Sequence, residues 1–239
     1  MRDLEIRTKL PVVRGDSHNG SMPQDKLPLF PLGVVLFPGG SLPLHIFEDR
    51  YRELIGEALE ATSEFGVVYA SEKGMASVGC TAVVEQVLKR YSDGRLDVLV
   101  RGRRRFEILL LNEERNFLQG AVDFVADEEG AEDAAGDAGD LLRQRVLSAW
   151  TNLMMLENGG LPTDLPDPRK TEFSFVVADV LPDVEMRQVV LSMRSEKERL
   201  EALASFVPAF VEKEKRVRHV RRVAPVSYTH LTLPTNREV

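Results

Sequence analysis

A single cysteine, Cys80, stands among the 239 residues. No intramolecular disulfide can form, and no cysteine-based zinc set with its paired spacing exists. A reducing, cytoplasmic setting follows as the default. No apolar run reaches the roughly 20 residues that a membrane-spanning helix needs. The opening stretch, Met1 to Lys26, is polar and interrupted by Pro11, Gly15, Gly20 and Pro23, so it lacks the continuous apolar segment of a signal peptide. No internal repeat of the kind that builds solenoids or propellers is found. The phosphate-loop pattern G-x-x-x-x-G-K-[ST] is also missing, and with it the signature of a nucleotide-hydrolysing domain.

What is present is the composition of a soluble globular protein, 43% hydrophobic and 29% charged, long enough for one large or two small domains. The net charge of -7 and a pI near 5.3 oppose a polyanion-binding surface spread over the whole molecule.

The chain divides by pattern. Residues 1–26 read as a flexible leader, because turn formers outnumber side chains able to offset ordering entropy. Residues 27–126 read as a β domain. Val34 to Phe37 and Phe65 to Tyr69 are short apolar runs suited to strands buried on both faces, and Thr81 to Tyr91 with Leu96 to Val100 flank a tight turn at Ser92-Asp93-Gly94. One helix interrupts them, Arg50 to Glu60, with Tyr51, Leu54, Ile55, Ala58 and Leu59 on one stripe.

Residues 127–140, almost wholly Asp, Glu, Ala and Gly, read as a self-repelling acidic linker. Residues 141–222 then take the helical period. Leu142, Val146, Ala149, Trp150 and Leu153 share a face, and Asn158-Gly159-Gly160 interrupts it. Thr171 is expected to cap a helix over Glu172 to Leu181, Asp183 one over Val184 to Met193, and Ser195 with Glu198 a last helix. That helix buries Leu200, Leu203, Val207, Phe210 and Val211, carries Pro208 inside it, and turns basic from Lys213 to Arg222. A helical bundle follows, and strands before helices make the whole α+β. Residues 226–239 break the pattern. Val226 to Thr235 resembles a sequencing-library adaptor translated in frame, so this stretch is read as a non-native tail.

The run Leu27-Pro28-Leu29-Phe30-Pro31-Leu32, then Val34-Val35-Leu36-Phe37-Pro38-Gly39 and Leu42-Pro43-Leu44-His45-Ile46-Phe47-Glu48-Asp49-Arg50-Tyr51, resembles the opening of the N-terminal domains of Lon-type ATP-dependent proteases. Weaker similarity continues through Val78 to Ala82 and Gly102 to Phe106. The resemblance implies a PUA-like β pseudo-barrel at 27–126 followed by the helical bundle, in a stand-alone form without ATPase or protease chemistry. It implies a non-catalytic role in recognising unfolded or tagged polypeptides, or as an adaptor in protein quality control, with a Lon-type protease as a further partner. No cofactor and no metal are called for.

Candidate site residues are weighed on that basis. Phe37, Leu42, Leu44, Ile46 and Phe47, with His45 among them, are candidates for an apolar groove that takes an extended peptide at a strand edge. Against this stands ordinary core packing, which such side chains favour. His45 lies in a strand near acidic residues, yet one imidazole falls short of a metal's ligand count. Arg101, Arg103, Arg104 and Arg105 form the one dense basic cluster of the β domain, and an RNA-binding PUA-like module is the alternative reading. That alternative requires Arg101, Arg103 and Arg105 to share an exposed face, although few aromatic rings lie near for stacking. Glu48, Asp49 and Arg50 begin a helix, where acidic groups complement the dipole.

Overall fold

The computed structural model describes residues 12–13, 26–127 and 137–223. Eight strands and five helices occur among them in the order β1 (Val12–Val13), β2 (Leu27–Leu32), β3 (Ser41–Ile46), α1 (Asp49–Ala61), β4 (Phe65–Ser71), β5 (Gly74–Met75), β6 (Val78–Arg90), β7 (Leu96–Asn112), β8 (Gln119–Val125), α2 (Asp137–Asn158), α3 (Phe173–Asp179), α4 (Val184–Ser192) and α5 (Glu196–Val223). Most of the expected leader, the middle of the acidic linker and the whole tail at 226–239 lie outside the described residues.

Seventeen-residue β7 organises the strands. Its inward positions Leu96, Val98, Val100, Phe106 and Ile108 are buried, which fixes its register, because a one-residue slip would turn them all outward. It pairs antiparallel with β3, β6 and β8, and parallel with β1. The pairings β7–β6–β4–β2–β8 return to β7, so the path closes on itself. The β6–β7 reversal forms at the expected turn, with Gly94 at φ +88°. In α1, Tyr51, Leu54, Ile55 and Ala58 are buried, as the stripe requires, and they pack on Ile46, Val98 and Val100.

One expected strand does not form. Val34 to Phe37 lies in a loop from Gly33 to Gly40. Its side chains still alternate, but between two cores: Val35 and Phe37 join the helices, while Leu36 enters the β core. Instead of joining a ladder, the end of the loop is pinned to β7. Gly39 N–H donates to the Gly102 carbonyl at 3.0 Å and Gly102 N–H donates to the Gly40 carbonyl at 2.9 Å. A Cβ at 102 would stand 2.1 Å from the Phe37 carbonyl oxygen, so this approach needs glycine.

In the helical half, α2 buries Val146, Ala149, Trp150 and Leu153 and ends at Asn158, where Gly159 turns to φ +74°. Asp183 caps α4 by accepting the Met186 N–H at 2.9 Å. Thr171 does not cap α3. Glu172 holds the N-cap position without a side-chain cap bond, because a turn in which Lys170 C=O accepts the Phe173 N–H delays the helix. Ser195 Oγ accepts the Glu198 N–H at 3.5 Å at the start of α5, which buries Leu200, Leu203, Val207 and Val211 and carries Pro208 inside it.

The two halves share one core, in which Val35, Phe37 and Val78 meet Phe175, Val190 and Leu203. A buried ion cluster joins them as well. Arg199 of α5 is 0% exposed and donates from Nη1 and Nη2 to Asp127 at 2.7 and 2.5 Å, and from Nη2 to Glu196 Oε2 at 2.9 Å. Asp127, just past β8, also accepts from Arg105 of β7, which donates to the carbonyls of Leu191 and Met193 at the end of α4. The Phe175 ring lies against both guanidinium groups. At its ends, then, the expected linker is ordered: Asp127 sits in the cluster and 137–140 are already helical.

Three outcomes follow for stability. Gly102→Ala should cost about 1–3 kcal/mol in denaturant unfolding, as the loop is forced off β7. Arg199→Met should cost on the order of 3 kcal/mol, the low end for a broken buried pair because Asp127 keeps solvent contact. Burial pushes the Asp127 carboxyl up, but the bonds from Arg199 and Arg105 outweigh it and leave the pKa below its ordinary value. Its contribution is therefore present above the unfolded carboxylate pKa and lost as pH falls through the lower folded value. The melting-temperature gap between wild type and Asp127→Asn should be open at neutral pH and close below about pH 4.

Candidate functional site

Strand alternation separates the residues that sequence patterning grouped together. On β3, Leu42, Leu44 and Ile46 point into the β core, while Ser41, Pro43 and His45 point outward. Phe47, just past the strand, is 60% exposed. Phe37 is 1% exposed and stacks on Phe175 with ring centroids 5.6 Å apart, inside the core that joins the halves. These residues therefore do not form one groove.

The β3 edge opposite β7 has no strand partner among the described residues. Pro43 lies in its middle and has no N–H, so a peptide strand added there would find a broken row of donors. His45 holds a local network at the same place. Its Nδ1 lies 2.5 Å from Asp97 Oδ1, and Tyr91 O–H donates to Asp97 Oδ2 at 2.8 Å. The bonds from His45 and then Tyr91 hold the Asp97 carboxyl below the usual range. The His45 ring stacks on Phe47 and meets Tyr91 edge-on. Among the described residues, no group of three His, Cys, Asp or Glu side chains could hold a metal ion.

The arginine cluster also disperses. Arg105 is buried in the ion cluster. Arg101 makes a two-oxygen pair with Glu85 at 3.1 and 3.0 Å and donates to the Gly39 carbonyl. Arg104 pairs with Glu64 at 3.1 Å and covers the Phe124 ring. Arg103 is exposed. Each paired guanidinium already faces a carboxylate, so the convergent basic face that an RNA-binding module requires does not form. Cys80 is fully buried and burial pushes its thiol up to about 12, which leaves it inert as a nucleophile.

The concave surface lies elsewhere, where the halves meet. A groove of about 680 Å³ runs between the 37–41 loop and the 165–180 segment. Phe37, Phe173 and Phe175, all buried, lie beneath it, and the Gly39-Gly40 backbone forms one wall. Leu165, Val176 and Val180 line the other side and are 58%, 47% and 40% exposed. The seven-residue α3 buries Phe173, Ser174, Phe175, Val177 and Ala178, while Val176 and the C-cap residue Val180 stay exposed. That surplus of apolar side chains at i, i+4 was the available signal in the sequence, and it reads there as ordinary helix. The pinning of 39–40 to Gly102 keeps the first wall in place. A more open hollow of about 490 Å³ between α2 and α5 mixes apolar side chains, among them Leu141, Ala149, Pro208 and Val211, with polar ones such as Gln144, Asn152 and Glu212.

Residues 26–208 match the family model of the ATP-dependent protease La (LON) substrate-binding domain. Lon protease 1 of Hydrogenovibrio crunogenus is 26% identical over 202 residues, covering 77% of this chain and 24% of that protein. Lon protease of Roseiflexus castenholzii is 29% identical over 221 residues, covering 83% of this chain and 25% of that protein. The chain thus spans about a quarter of the length of these curated relatives. Among solved structures, the Lon N-terminal domain protein from Xanthomonas campestris is 28% identical with a TM-score of 0.58, covering 76% of this chain and 98% of that one. The N-terminal domain of the Mycobacterium avium complex Lon protease shares the fold, at 18% identity and a TM-score of 0.57 over 77% of this chain and 98% of that one. With most of its length matched by the family model, and with strands and helices arranged as in these domains, the chain belongs to the Lon substrate-binding domain family.

Proposed function

We propose that this chain recognises polypeptides without turning them over, acting in protein quality control as a substrate-binding module or adaptor that works with a Lon-type protease in the cytoplasm. Its β half is read as a PUA-like pseudo-barrel and its helical half as a bundle, with the junction groove as the binding surface. The observation that carries the reading is the gathering of Leu165, Val176 and Val180 on one side of a groove underlain by phenylalanines, in a chain of the substrate-binding family. Exposed apolar side chains collected in a concavity mark an interaction site, whereas scattered ones need no explanation. Extended, unfolded segments offer the bulky side chains that such a concavity takes up.

Fluorescence-anisotropy titration of the chain against a labelled unfolded polypeptide and a labelled RNA, each at low and high salt, tests this. Saturable binding to the polypeptide that tolerates salt is expected, with little binding to RNA. Salt-sensitive binding to RNA alone, or hydrolysis of peptide or nucleotide by the purified chain, overturns the reading. Val176→Asp should weaken polypeptide binding by about tenfold, from the loss of roughly 1.5 kcal/mol of valine burial.

A further inference from the structure

The segment that brings Leu165 to the groove is held only at its two ends. At the first, Gly159 N–H donates to the Met155 carbonyl at 3.0 Å, and a Cβ at Gly159 or Gly160 would meet nothing within 4 Å, so the backbone there runs clear of its neighbours. At the second, Arg143 of α2 donates to the Pro168 carbonyl at 2.7 Å and faces Glu196 of the buried ion cluster at 3.3 Å. A turn on Asp167 completes that seat: its carboxylate accepts the Arg169 N–H at 3.0 Å and its carbonyl the Lys170 N–H at 3.2 Å. Between these points no hydrogen bond or ion pair reaches residues 160–166 among the described residues. Unbonded, solvent-exposed backbone with few buried contacts is what gives way first in a fold. The strap also turns apolar side chains to water. Leu161 is 74% exposed and Leu165 58%, and of the two only Leu165 lines the groove. Each precedes a proline, which confines it to extended backbone, so the strap is stiff along its length and loose at Gly159-Gly160.

Resting on the polypeptide-binding reading above, we infer that residues 160–166 form a movable jaw of the junction groove. It hinges at Gly159-Gly160, is seated at Pro168, and folds over a bound segment so that Leu161 joins Leu165 against it. Closure takes both leucines out of water only when an apolar segment is there to receive them, so the empty groove stays open and an apolar occupant draws the jaw shut. The opposite wall does not move with it, because the 39–40 backbone is bonded to Gly102 of β7.

The sole cysteine, Cys80, is buried, so Thr163→Cys, at an exposed position of the strap, takes an environment-sensitive dye at that place alone. The labelled full chain is mixed by stopped flow with increasing amounts of a reduced and alkylated protein that cannot refold. The same polypeptide, labelled instead, is titrated by anisotropy against wild type, Leu161→Ser and Val176→Asp.

The expected result is a shift of the dye emission to the blue, in a phase whose rate levels off at high polypeptide concentration because closure follows docking. Leu161→Ser should weaken binding about fivefold, through apolar contact made only in the closed state. Its thermal melt should match wild type, since Leu161 is mostly in water in the free chain. A dye unmoved by binding, a rate that rises in proportion to concentration without limit, or Leu161→Ser binding as tightly as wild type overturns the jaw. In each of those cases weaker binding by Val176→Asp leaves polypeptide recognition standing, with residues 160–166 as a fixed wall. If the polypeptide does not bind wild type at all, the polypeptide-binding reading fails and takes this inference with it.

Discussion

Arg199 holds a full charge where no water reaches it, and the arrangement of both halves satisfies that charge. A lone guanidinium at such a depth would be prohibitively costly, so its donors must all be met by fixed acceptors. They are met by groups from separate parts of the chain: Asp127 beyond β8, Glu196 one turn earlier in α5, and the Ser174 hydroxyl of α3 at 2.9 Å from Nε. Arg105 shares Asp127 and carries the connection to the last carbonyls of α4. A network of this kind gives less net stability than a hydrophobic replacement could. Its members come from β7, the segment after β8, α3 and α5, so it fixes the placement of strands against helices at that point.

The groove depends on that placement. One side belongs to the strand-rich half, through the 37–41 loop, and the other to α3 and the segment before it. Neither half has the concavity alone. Phe175 links the two features directly, since one ring lies beneath the groove and also against Arg105 and Arg199. Gln188 and Arg187 of α4 add further ties, donating to the Val78 and Val35 carbonyls at 3.0 and 3.1 Å.

Much of the fold was legible in the sequence because period and punctuation report local structure. The α1 stripe, the Gly94 turn, the Asp183 cap and the buried face of α2 all follow from side-chain spacing or backbone demands within a few residues. The 33–40 loop was not legible, because an apolar run that alternates between two cores has the same pattern as a strand that pairs. Its fate turns on Gly102, more than sixty positions away. The candidate site was harder still. Phe37 lines the junction groove, while the β3 residues near it in the sequence face elsewhere. Leu165, Val176 and Val180 stand out only once three dimensions bring them beside it. The arginine run read as a patch because sequence adjacency conceals that one member turns inward while two others meet carboxylates.

Pro43 sits in β3, whose side away from β7 has no strand partner among the described residues. Open strand sides are templates on which further copies of a chain can stack. A missing donor in the middle of β3 interrupts that template at no expense to the inner ladder with β7. At β3, then, the chain offers an incoming strand no continuous row of backbone donors.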